Sequence, residues 1–314
     1  MIALIYDPYK RPLNSIRISL TDRCDLRCFF CHREGHPNPS AEEMTTDEIV
    51  TVAEIAAGFG ISDVKLTGGE PLLRDDLVEI IRGLCAIQGI GEVSMTTCGI
   101  SLSKRAKALK EAGLSRVNVN LPTLKRETYN RITGEDLLDE VIKGIESAIE
   151  AGLQPIKLNM VILSGINDNE VKEMIDFASR RGVILQIIEL IPSLDSTEPY
   201  ENYHRDLSDI EEWLRGEALK ITSRRLQARK RYLLKNGAEV EVVKPMHNTE
   251  FCLHCTRIRV TADGKLKPCL MQDDNLVDLL PPLRGGATKK ELRELFMEAV
   301  GQRKPFFGDH PQDA

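Results

Sequence analysis

The sequence predicts an α/β protein built on a parallel β-sheet. Between residues 16 and 190, six short β-branched or aliphatic runs alternate with longer amphipathic stretches. The runs cover residues 16–20, 64–67, 93–97, 117–121, 156–163 and 184–190. Connections of this length are what neighbouring parallel strands need, whereas antiparallel strands can be joined by a tight turn. The alternation alone fits either an open doubly wound sheet or a partial barrel.

The stretches between the runs carry helix signals. Thr45 and Glu48 have the spacing of a capping box, which predicts that a helix begins there. Apolar residues recur every four positions from 137 to 149 and predict a helix that ends before Gly152. A further helix is predicted from residue 168 to about 181, where a glycine follows.

The rhythm of strand and helix breaks after Pro192. Antiparallel strands are predicted within 219–245, because Asn236-Gly237 is a strong hairpin signal. The other expectations are an irregular polar stretch over 193–205, a short helix over 207–214, a cysteine-bearing loop over 252–269 with a turn at Asp263-Gly264, and a basic amphipathic helix over 289–303. We therefore predict two domains, 1–192 and 193–314, with the boundary near 192–205.

Charge and hydropathy exclude several classes of protein. The 314 residues include 42 Lys and Arg against 48 Asp and Glu, a net charge of −6, so bulk charge does not favour binding to nucleic acid. Any anionic ligand needs a local basic cluster. No apolar run approaches the ~18 residues of a membrane span, and the amino terminus is too short and too polar for a signal peptide. We predict a cytoplasmic protein with no nucleic-acid or membrane partner.

Eight cysteines are too few for a disulfide scaffold, and six of them fall into two tight groups. Cys24, Cys28 and Cys31 directly follow the first predicted strand. Three thiolates at this spacing can hold three corners of a [4Fe-4S] cluster and leave the fourth iron open. A structural zinc site is the alternative, with His32 or His36 as its fourth ligand.

The second group is Cys252, Cys255 and Cys269. It fits a second cluster with one open iron, or a zinc site completed by a nearby histidine, His247 or His254. Arg257 and Arg259 follow two positions apart, so in an extended segment both side chains point to one face. They are either solvated surface charges or a planar, bidentate site for an anionic ligand.

A glycine pair ends the second run, in the sequence Gly68-Gly69-Glu70-Pro71. Glycines there let the backbone approach a ligand, although a turn after the strand also explains them. With the spacing CxxxCxxC and the aromatic Phe30 before the last cysteine, the sequence resembles the radical S-adenosylmethionine (radical SAM) superfamily. The resemblance implies an α/β fold, a partial (βα)6 TIM-type barrel, followed by an α+β domain that carries a second iron-sulfur cluster.

The resemblance also implies the cofactors, two [4Fe-4S] clusters and S-adenosyl-L-methionine, whose methionyl amino and carboxylate groups chelate the open iron of the first cluster. The two cysteine triplets are then the metal ligands. Phe30, Gly69, Asn120 and Ile191 are implied to contact S-adenosylmethionine, with Gly69 beside its methionyl end.

Within this superfamily, residues 14–303 are similar to the family of cyclases that act on GTP early in molybdenum cofactor biosynthesis. The most specific features are Thr21-Asp22-Arg23-Cys24 and the segment 251–270. The similarity implies a lyase that converts GTP to (8S)-3′,8-cyclo-7,8-dihydroguanosine 5′-triphosphate. The residues implied to contact GTP are Arg17, Lys65, Thr96 and Lys157, together with Arg257 and Arg259 as the catalytic pair near the guanine or the second cluster.

The implied reaction begins with reductive cleavage of S-adenosylmethionine to methionine and a 5′-deoxyadenosyl radical. That radical takes the ribose 3′-hydrogen of GTP, and the resulting carbon radical adds to guanine C8. One more electron and a proton then quench the cyclised radical. The second cluster holds the guanine by its open iron. The reaction needs an external one-electron reductant of the ferredoxin or flavodoxin type, and a homodimer is the assembly we consider.

Several positions depart from the pattern of this family. Cys98 stands in Thr96-Thr97-Cys98-Gly99 where asparagine is usual, Asn120 replaces a serine, and Gln186 stands where an arginine is frequent. We expect Cys98, and Cys85 in a predicted helix, to be buried structural thiols. Two other functions remain open, a radical enzyme that modifies peptides and a nonenzymatic zinc-binding adaptor.

Overall fold

Twelve β-strands form one sheet in the computed structural model, which describes residues 4–36 and 42–308. In chain order the strands are β1 (Ser15–Ser19), β2 (Asp63–Thr67), β3 (Glu92–Thr97), β4 (Arg116–Asn120), β5 (Lys157–Ile162), β6 (Ile184–Glu189), β7 (Ala218–Ser223), β8 (Lys230–Leu234), β9 (Glu239–Val243), β10 (Arg257–Val260), β11 (Lys265–Lys267) and β12 (Val277–Asp278). Their order across the sheet is β12-β11-β10-β1-β2-β3-β4-β5-β6-β9-β8-β7.

Strands β1 to β6 are parallel and lie beside one another in sequence order. A doubly wound sheet reverses its strand order at a switch point, whereas a barrel adds each new strand on the same side. The observed order therefore selects the partial barrel. The predicted fold class is confirmed, and all six predicted runs form its strands.

The helices of the described residues are α1 (Thr46–Ala57), α2 (Leu77–Ala86), α3 (Leu102–Glu111), α4 (Arg126–Thr133), α5 (Leu138–Glu150), α6 (Val171–Arg180), α7 (Glu198–Tyr203), α8 (Ser208–Glu217), α9 (Thr249–Leu253), α10 (Leu280–Arg284) and α11 (Lys289–Gly301). The capping box at the start of α1 is confirmed. The Thr45 hydroxyl accepts a hydrogen bond from the backbone N–H of Glu48, whose side chain accepts one from that of Thr45. Gly152 follows α5 with the left-handed φ of 72° that favours glycine at a helix end.

Side chains alternate between the two faces of each barrel strand. On β1, Ile16 and Ile18 are fully buried and pack in one core with Ile49 and Val52 of α1. Arg17, between them, points to the opposite face and into the interior of the barrel. The outer face of the sheet is thus an apolar layer under the helices, and its inner face is free to carry polar side chains.

The carboxy-terminal part of the chain extends the barrel sheet at both edges. Strand β9 pairs in parallel with β6, and β10 pairs in parallel with β1. The hairpin at Asn236-Gly237 is confirmed, because it joins the antiparallel strands β8 and β9. The predicted domain boundary near 192–205 stays a prediction, and the sheet runs on across it.

Two details of the predicted carboxy-terminal part are wrong. The stretch over 193–205 is not entirely irregular, because it contains α7. The segment over 252–269 is more than a loop, since it contains the antiparallel strands β10 and β11. Strand β10 has only four residues, and its parallel partner β1 lies far away in sequence, so no local pattern marks it.

Buried ion pairs near both ends of the described chain contact the segment that carries Cys252 and Cys255. One Asp7 carboxylate oxygen accepts hydrogen bonds from Arg11 Nε and Arg303 Nη1, each at 2.7 Å. Arg11 also donates to the backbone oxygen of Cys252 at 3.0 Å, and Arg303 to that of Cys255 at 2.8 Å. All three charged side chains are buried. They therefore fix the backbone that carries the two cysteines.

Among residues 4–36 and 42–308, no helix combines the length and the apolar character that a bilayer crossing requires.

We predict that Gly144→Ala lowers the free energy of unfolding by about 1–3 kcal/mol. A Cβ at this position of α5 would lie 2.2 Å from the backbone oxygen of Gly99, so one of the two segments has to shift. Urea unfolding followed by circular dichroism measures the change.

The matched control is Gly216→Ala in α8, where no described atom other than its own neighbours lies within 4 Å of the added Cβ. Here the better helix propensity of alanine should raise stability by up to about 1 kcal/mol. Equal effects of the two substitutions would contradict the close approach of α5 to Gly99.

Candidate active site

One cavity of about 1420 Å³ lies inside the partial barrel. Every site residue predicted from the sequence lines it. They are Arg17, Cys24, Cys28, Phe30, Cys31, Lys65, Gly69, Thr96, Asn120, Lys157, Ile191, Cys252, Cys255, Arg257, Arg259 and Cys269. The two cysteine triplets, distant in sequence, therefore face the same chamber.

Strand register builds a row of cationic and polar side chains across this chamber. Arg17 on β1 is in register with Arg259 on β10 and with Lys65 on β2. Adjacent strands lie about 4.8 Å apart, so the three cations come side by side. The inner face of the sheet continues through Ser94, Asn118, Lys157, Asn159, Gln186 and Glu241.

Amide side chains link the middle of this row. Lys65 Nζ donates a hydrogen bond to Asn118 Oδ1 at 2.9 Å. The Asn118 amide donates in turn to Asn159 Oδ1 at 3.2 Å and to Gln186 Oε1 at 3.4 Å. Asn159 donates to Asn120 Oδ1 at 3.1 Å. Asn120 and Gln186, two departures from the family pattern, are thus members of one continuous hydrogen-bonded chain.

Glu34 neutralises one end of the row. Its carboxylate accepts hydrogen bonds from Arg17 Nη1 at 3.0 Å, from Arg259 Nη1 at 2.6 Å and from the Thr67 hydroxyl at 2.8 Å. Burial alone raises the pKa of Glu34, but Arg17 and Arg259 outweigh burial and lower it. Glu34 lies three positions after Cys31 and has a left-handed backbone, with φ of 53°. The first cysteine loop is therefore held directly against two of the predicted GTP-binding cations.

Glu241 neutralises the other end and is completely buried. It forms a close ion pair with Lys157 and accepts hydrogen bonds from Arg224 and Arg229, each at 3.1 Å. Gln186 Nε2 donates to it at 2.8 Å. Burial lowers the pKa of Lys157 to about 7 against the opposing effect of Glu241. Lys157 is nevertheless charged, because its ammonium contacts a carboxylate that Arg224 and Arg229 hold ionised.

The cavity is strongly basic although the chain is acidic. Its lining contains thirteen Arg and Lys side chains against seven Asp and Glu, while the whole chain has a net charge of −6. Burial and the neighbouring cations Arg116, Arg17 and Arg257 lower the pKa of Lys65. Burial and Arg17 likewise lower the pKa of Arg257. The cations repel one another in a desolvated space, and a polyanionic ligand would relieve this repulsion.

The loop that bears Cys24 is held by the glycine pair. The backbone N–H groups of Gly69 and Glu70 donate to the backbone oxygens of Thr21 and Arg23, both at 2.7 Å. A Cβ on Gly69 would lie 2.1 Å from the Arg23 oxygen, so only glycine allows this contact. The close approach for which glycine is needed is thus to the cysteine loop, and Gly69 also lines the cavity.

The thiols of the first triplet form no disulfide, and their pKa values are raised. Burial raises the pKa of Cys24 to about 11 and that of Cys28 to about 12. Burial also raises the pKa of Cys31. Without a metal these groups stay protonated at neutral pH, and a bound cation would displace their protons.

The second triplet lies in a more cationic surrounding. Burial raises the pKa of Cys255, but Arg303, then the Arg257 backbone and side chain and Arg11, outweigh burial and lower it. Burial raises the pKa of Cys269. The same Arg303 that fixes the Cys255 backbone therefore also favours its thiolate.

The donor sets fit clusters better than single metal ions. Within the described part of the chain, no group of three or more His, Cys, Asp or Glu side chains could hold one metal ion, which is what a zinc site requires. A cubane differs, because each cysteine binds its own iron. Of the four histidines considered for zinc, two have another polar neighbour: His254 Nδ1 lies 2.9 Å from the Glu250 oxygen, and His36 lies 3.7 Å from the Asp22 carboxylate. His32 Nδ1 has no hydrogen-bond partner among the described residues.

One prediction about the remaining cysteines is wrong. Cys98 is buried, as expected, and its backbone N–H donates to Glu70 at 2.6 Å. Cys85 is exposed, although it lies in α2. The buried residues of that helix are Leu77, Ile80, Ile81 and Leu84, and Cys85 lies beside this buried face.

Sequence reasoning missed Glu34, Glu241, Arg224 and Arg229. Each of these is an ordinary charged residue outside any motif, and Lys157 and Glu241 are 84 positions apart. The one available signal was the position of Glu34, three residues after a cysteine of the first triplet.

Comparison with known proteins agrees with this arrangement. The sequence pattern of the radical SAM superfamily matches residues 18–178, slightly more than half of the chain. The chain belongs to the radical SAM superfamily. The remaining part, residues 183–308, matches the family described as Molybdenum Cofactor Synthesis C. In this radical SAM protein the two matches together span both cysteine triplets.

Relatives with nearly full coverage define its family more closely. A protein of Methanothermobacter marburgensis named probable GTP 3′,8-cyclase is 47% identical over 305 residues, which cover 96% of this chain and 99% of the relative. A protein of Thermococcus kodakarensis with the same name is 45% identical over 309 residues, covering 97% of this chain and all of the relative. The chain belongs to the family of these proteins.

Solved structures support the fold. Streptococcus suis SuiB bound to S-adenosylmethionine superposes with a TM-score of 0.65 at 17% identity, covering 83% of this chain and 61% of SuiB. This chain thus spans less than two thirds of the SuiB chain. Native anSMEcpe with bound AdoMet superposes with a TM-score of 0.63 at 16% identity, covering 93% of this chain and 81% of that one. At such identities the likeness concerns the fold alone.

We predict that replacing Cys24, Cys28 and Cys31 together by alanine removes roughly half of the iron, because each triplet holds its own cluster. Replacing Cys252, Cys255 and Cys269 should remove the other half. Iron and sulfide analysis of anaerobically purified protein measures both, with circular dichroism as the check on folding. Complete loss of iron from either folded variant would contradict two independent sites.

Proposed function

We propose that the chain is a GTP 3′,8-cyclase, a radical SAM lyase that converts GTP to (8S)-3′,8-cyclo-7,8-dihydroguanosine 5′-triphosphate early in molybdenum cofactor biosynthesis. The observation that carries the proposal is a single basic cavity lined by both cysteine triplets. The full-length relatives bear this enzyme's name, which supports the assignment. A nonenzymatic zinc adaptor would need neither the buried cations nor a chamber of this size.

Each cofactor has a set of residues in the proposal. Cys24, Cys28 and Cys31 would hold one [4Fe-4S] cluster, and the other triplet would hold the second. Phe30, Gly69, Asn120 and Ile191 would contact S-adenosylmethionine. When bound, the reduced first cluster supplies the electron for reductive cleavage of S-adenosylmethionine. The chain contributes the desolvation seen in the raised pKa of Cys28 and the rigid support of the cysteine loop by the Gly69 and Glu70 backbone.

The triphosphate of GTP is the anion that best matches the cationic row. Arg17, Lys65 and Lys157 would bind it, because their repulsion is only partly offset by Glu34, Asn118 and Glu241. Charge-assisted hydrogen bonds from such groups are stronger than neutral ones, so they also fix the ligand's orientation. The hydroxyl of Thr96 is buried without a hydrogen-bond partner among the described residues, which leaves it available to the substrate.

Arg257 and Arg259 would orient the guanine end of the substrate. Both line the cavity, and Ile258 between them is fully buried, as alternation along an extended strand requires. Arg259 is held by Glu34, whereas Arg257 forms no ion pair with a carboxylate of the described chain. Its planar guanidinium is therefore free to bind a flat heteroaromatic ligand beside the second triplet.

The reaction's partners and compartment are also part of the proposal. An external one-electron donor of ferredoxin or flavodoxin type would reduce the clusters. The cytoplasm is the compartment proposed, since it keeps clustered thiols reduced. A homodimer is the proposed assembly.

The decisive experiment incubates anaerobically reconstituted, dithionite-reduced protein with GTP and S-adenosylmethionine. The expected products are 5′-deoxyadenosine, methionine and a cyclised nucleotide that is an isomer of GTP and has the same mass. Chromatography and mass spectrometry identify them. Cleavage of S-adenosylmethionine with no GTP-derived product would favour a radical enzyme with another substrate, such as a peptide.

We predict that the Cys252, Cys255 and Cys269 triple alanine variant still cleaves some S-adenosylmethionine but forms no cyclised nucleotide. The reason is that the second site is assigned to substrate binding and the first to radical formation. Quantifying 5′-deoxyadenosine and cyclised product in the same reaction separates the two steps. Normal cyclisation by this variant would reduce the second triplet to a structural element.

We predict that Arg257→Ala combined with Arg259→Ala lowers product formation at least about tenfold, because each guanidinium contributes charge-assisted hydrogen bonds of about 1.5–3 kcal/mol. Lysine should rescue poorly at either position, since it keeps the charge and loses the planar fork. Iron content serves as the control for intact cluster sites. Unchanged yield in the double variant would assign both arginines to structure alone.

A further inference from the structure

We infer that Arg224 and Arg229 form a further phosphate-binding surface of the cavity, positioned by the buried carboxylate of Glu241. The inference rests on the proposed function, because it takes the triphosphate of GTP as the ligand. It adds two substrate-binding cations that lie outside the motifs of the sequence. It also explains how the site accommodates glutamine at position 186.

Arg224 and Arg229 lie in the connection between β7 and β8, outside the six barrel strands, and reach the cavity from there. Both line it, and Glu241 accepts a hydrogen bond from each at 3.1 Å, one on each carboxylate oxygen. Glu241 itself lies behind the cavity wall and is completely buried. Its carboxylate therefore holds both arginine side chains at the cavity lining.

The charge at this end of the cavity is not balanced within the protein. Three cations, Lys157, Arg224 and Arg229, surround the single carboxylate of Glu241. The Arg229 side chain is only 9% exposed, and its buried Nε has no hydrogen-bond partner among the described residues. A buried, unpartnered donor on a cation is unfavourable unless a ligand supplies the acceptor. A phosphate group supplies both the acceptor oxygens and the negative charge.

The turn between Arg224 and Arg229 has an unfavourable backbone conformation that its surroundings hold in place. Gln227 and Ala228, between Arg224 and Arg229, have left-handed backbones with φ of 58° and 48°. Gln227 accepts a hydrogen bond from Arg229, and its backbone N–H donates to the His254 oxygen at 2.8 Å. Such conformations persist where the surroundings hold them and are enriched at functional sites. This turn ties the arginines to the segment of the second cysteine triplet.

Position 186 explains why the cations come from this turn. Gln186 on β6 is in register with Glu241 on β9, and its amide donates to the Glu241 carboxylate at 2.8 Å. An arginine at 186 would lie beside Glu241 and bring its own charge to the cavity. With glutamine there, the carboxylate retains the capacity to bind Arg224 and Arg229. The cations are thereby supplied by the connection between β7 and β8 instead of by β6.

The test is equilibrium binding of GTP and GMP to the anaerobic, cluster-loaded protein by isothermal titration calorimetry. Arg224→Gln and Arg229→Gln should each weaken GTP binding at least about tenfold and the double variant more, while GMP binding changes little. Ion pairs that only stabilise the fold would not alter the preference for GTP over GMP. The Arg224 side chain is 39% exposed, so its replacement should not prevent folding. The Arg224 variant therefore provides the test if the Arg229 variant does not fold.

The matched control is Arg231→Gln on β8, two positions after Arg229. Arg231 is paired with Glu239 on β9 and lies outside the cavity lining. It should leave the GTP to GMP preference unchanged. Adding Gln186→Arg to the double variant should restore GTP binding at least about tenfold, which a structural role of the arginines would not produce.

Two results overturn different claims. If the double variant keeps the wild-type preference for GTP over GMP while the wild-type protein cyclises GTP, the inference is wrong and the proposed function stands. If the wild-type protein shows neither that preference nor any cyclised product, the proposed function itself is wrong.

Discussion

The parallel pairing of β10, β1 and β2 sets Arg259, Arg17 and Lys65 side by side in a desolvated chamber, and the rest of the site compensates for this crowding. Like charges on adjacent strands destabilise a sheet, and weak screening inside the barrel increases their repulsion. Glu34 and Asn118 offset part of it. The remainder is a positive potential that a bound polyanion would offset, so substrate binding and the stability of the chamber are thermodynamically linked.

Two carboxylates organise the compensation, and each connects the cations to a cysteine segment. Glu34 belongs to the first cysteine loop and contacts cations from two strands. Glu241 holds the arginines on either side of a turn that is hydrogen-bonded to His254, next to Cys255. Hydrogen bonds therefore join the cationic side chains at each end of the row to one of the two cysteine segments. A displacement of either segment would change the charge presented to the cavity.

Local patterns in the sequence predict the alternation of strands and helices, whereas the partial barrel follows only from the resemblance to the radical SAM superfamily. Alternating strand residues such as Ile16, Arg17 and Ile18 already specify an apolar outer face and a polar inner face. The partners of the cations could not be predicted in the same way. Lys157 and Glu241 are 84 positions apart, and the parallel registers of β5 with β6 and of β6 with β9 bring them together. Cys85 shows a related limit, since it lies beside the buried face of α2, where the helix pattern alone does not decide burial.

The carboxy-terminal strands complete the chamber from both edges of the same sheet. Strand β9 extends it beyond β6 and supplies Glu241, whereas β10 extends it beyond β1 and supplies Arg257 and Arg259. The first six strands by themselves would leave Lys157 buried without its carboxylate, which is unfavourable for an isolated charge. The carboxy-terminal segment, in turn, has no parallel neighbour for β9 or β10 without the barrel. The chemistry of the cavity therefore requires that both parts fold as one sheet.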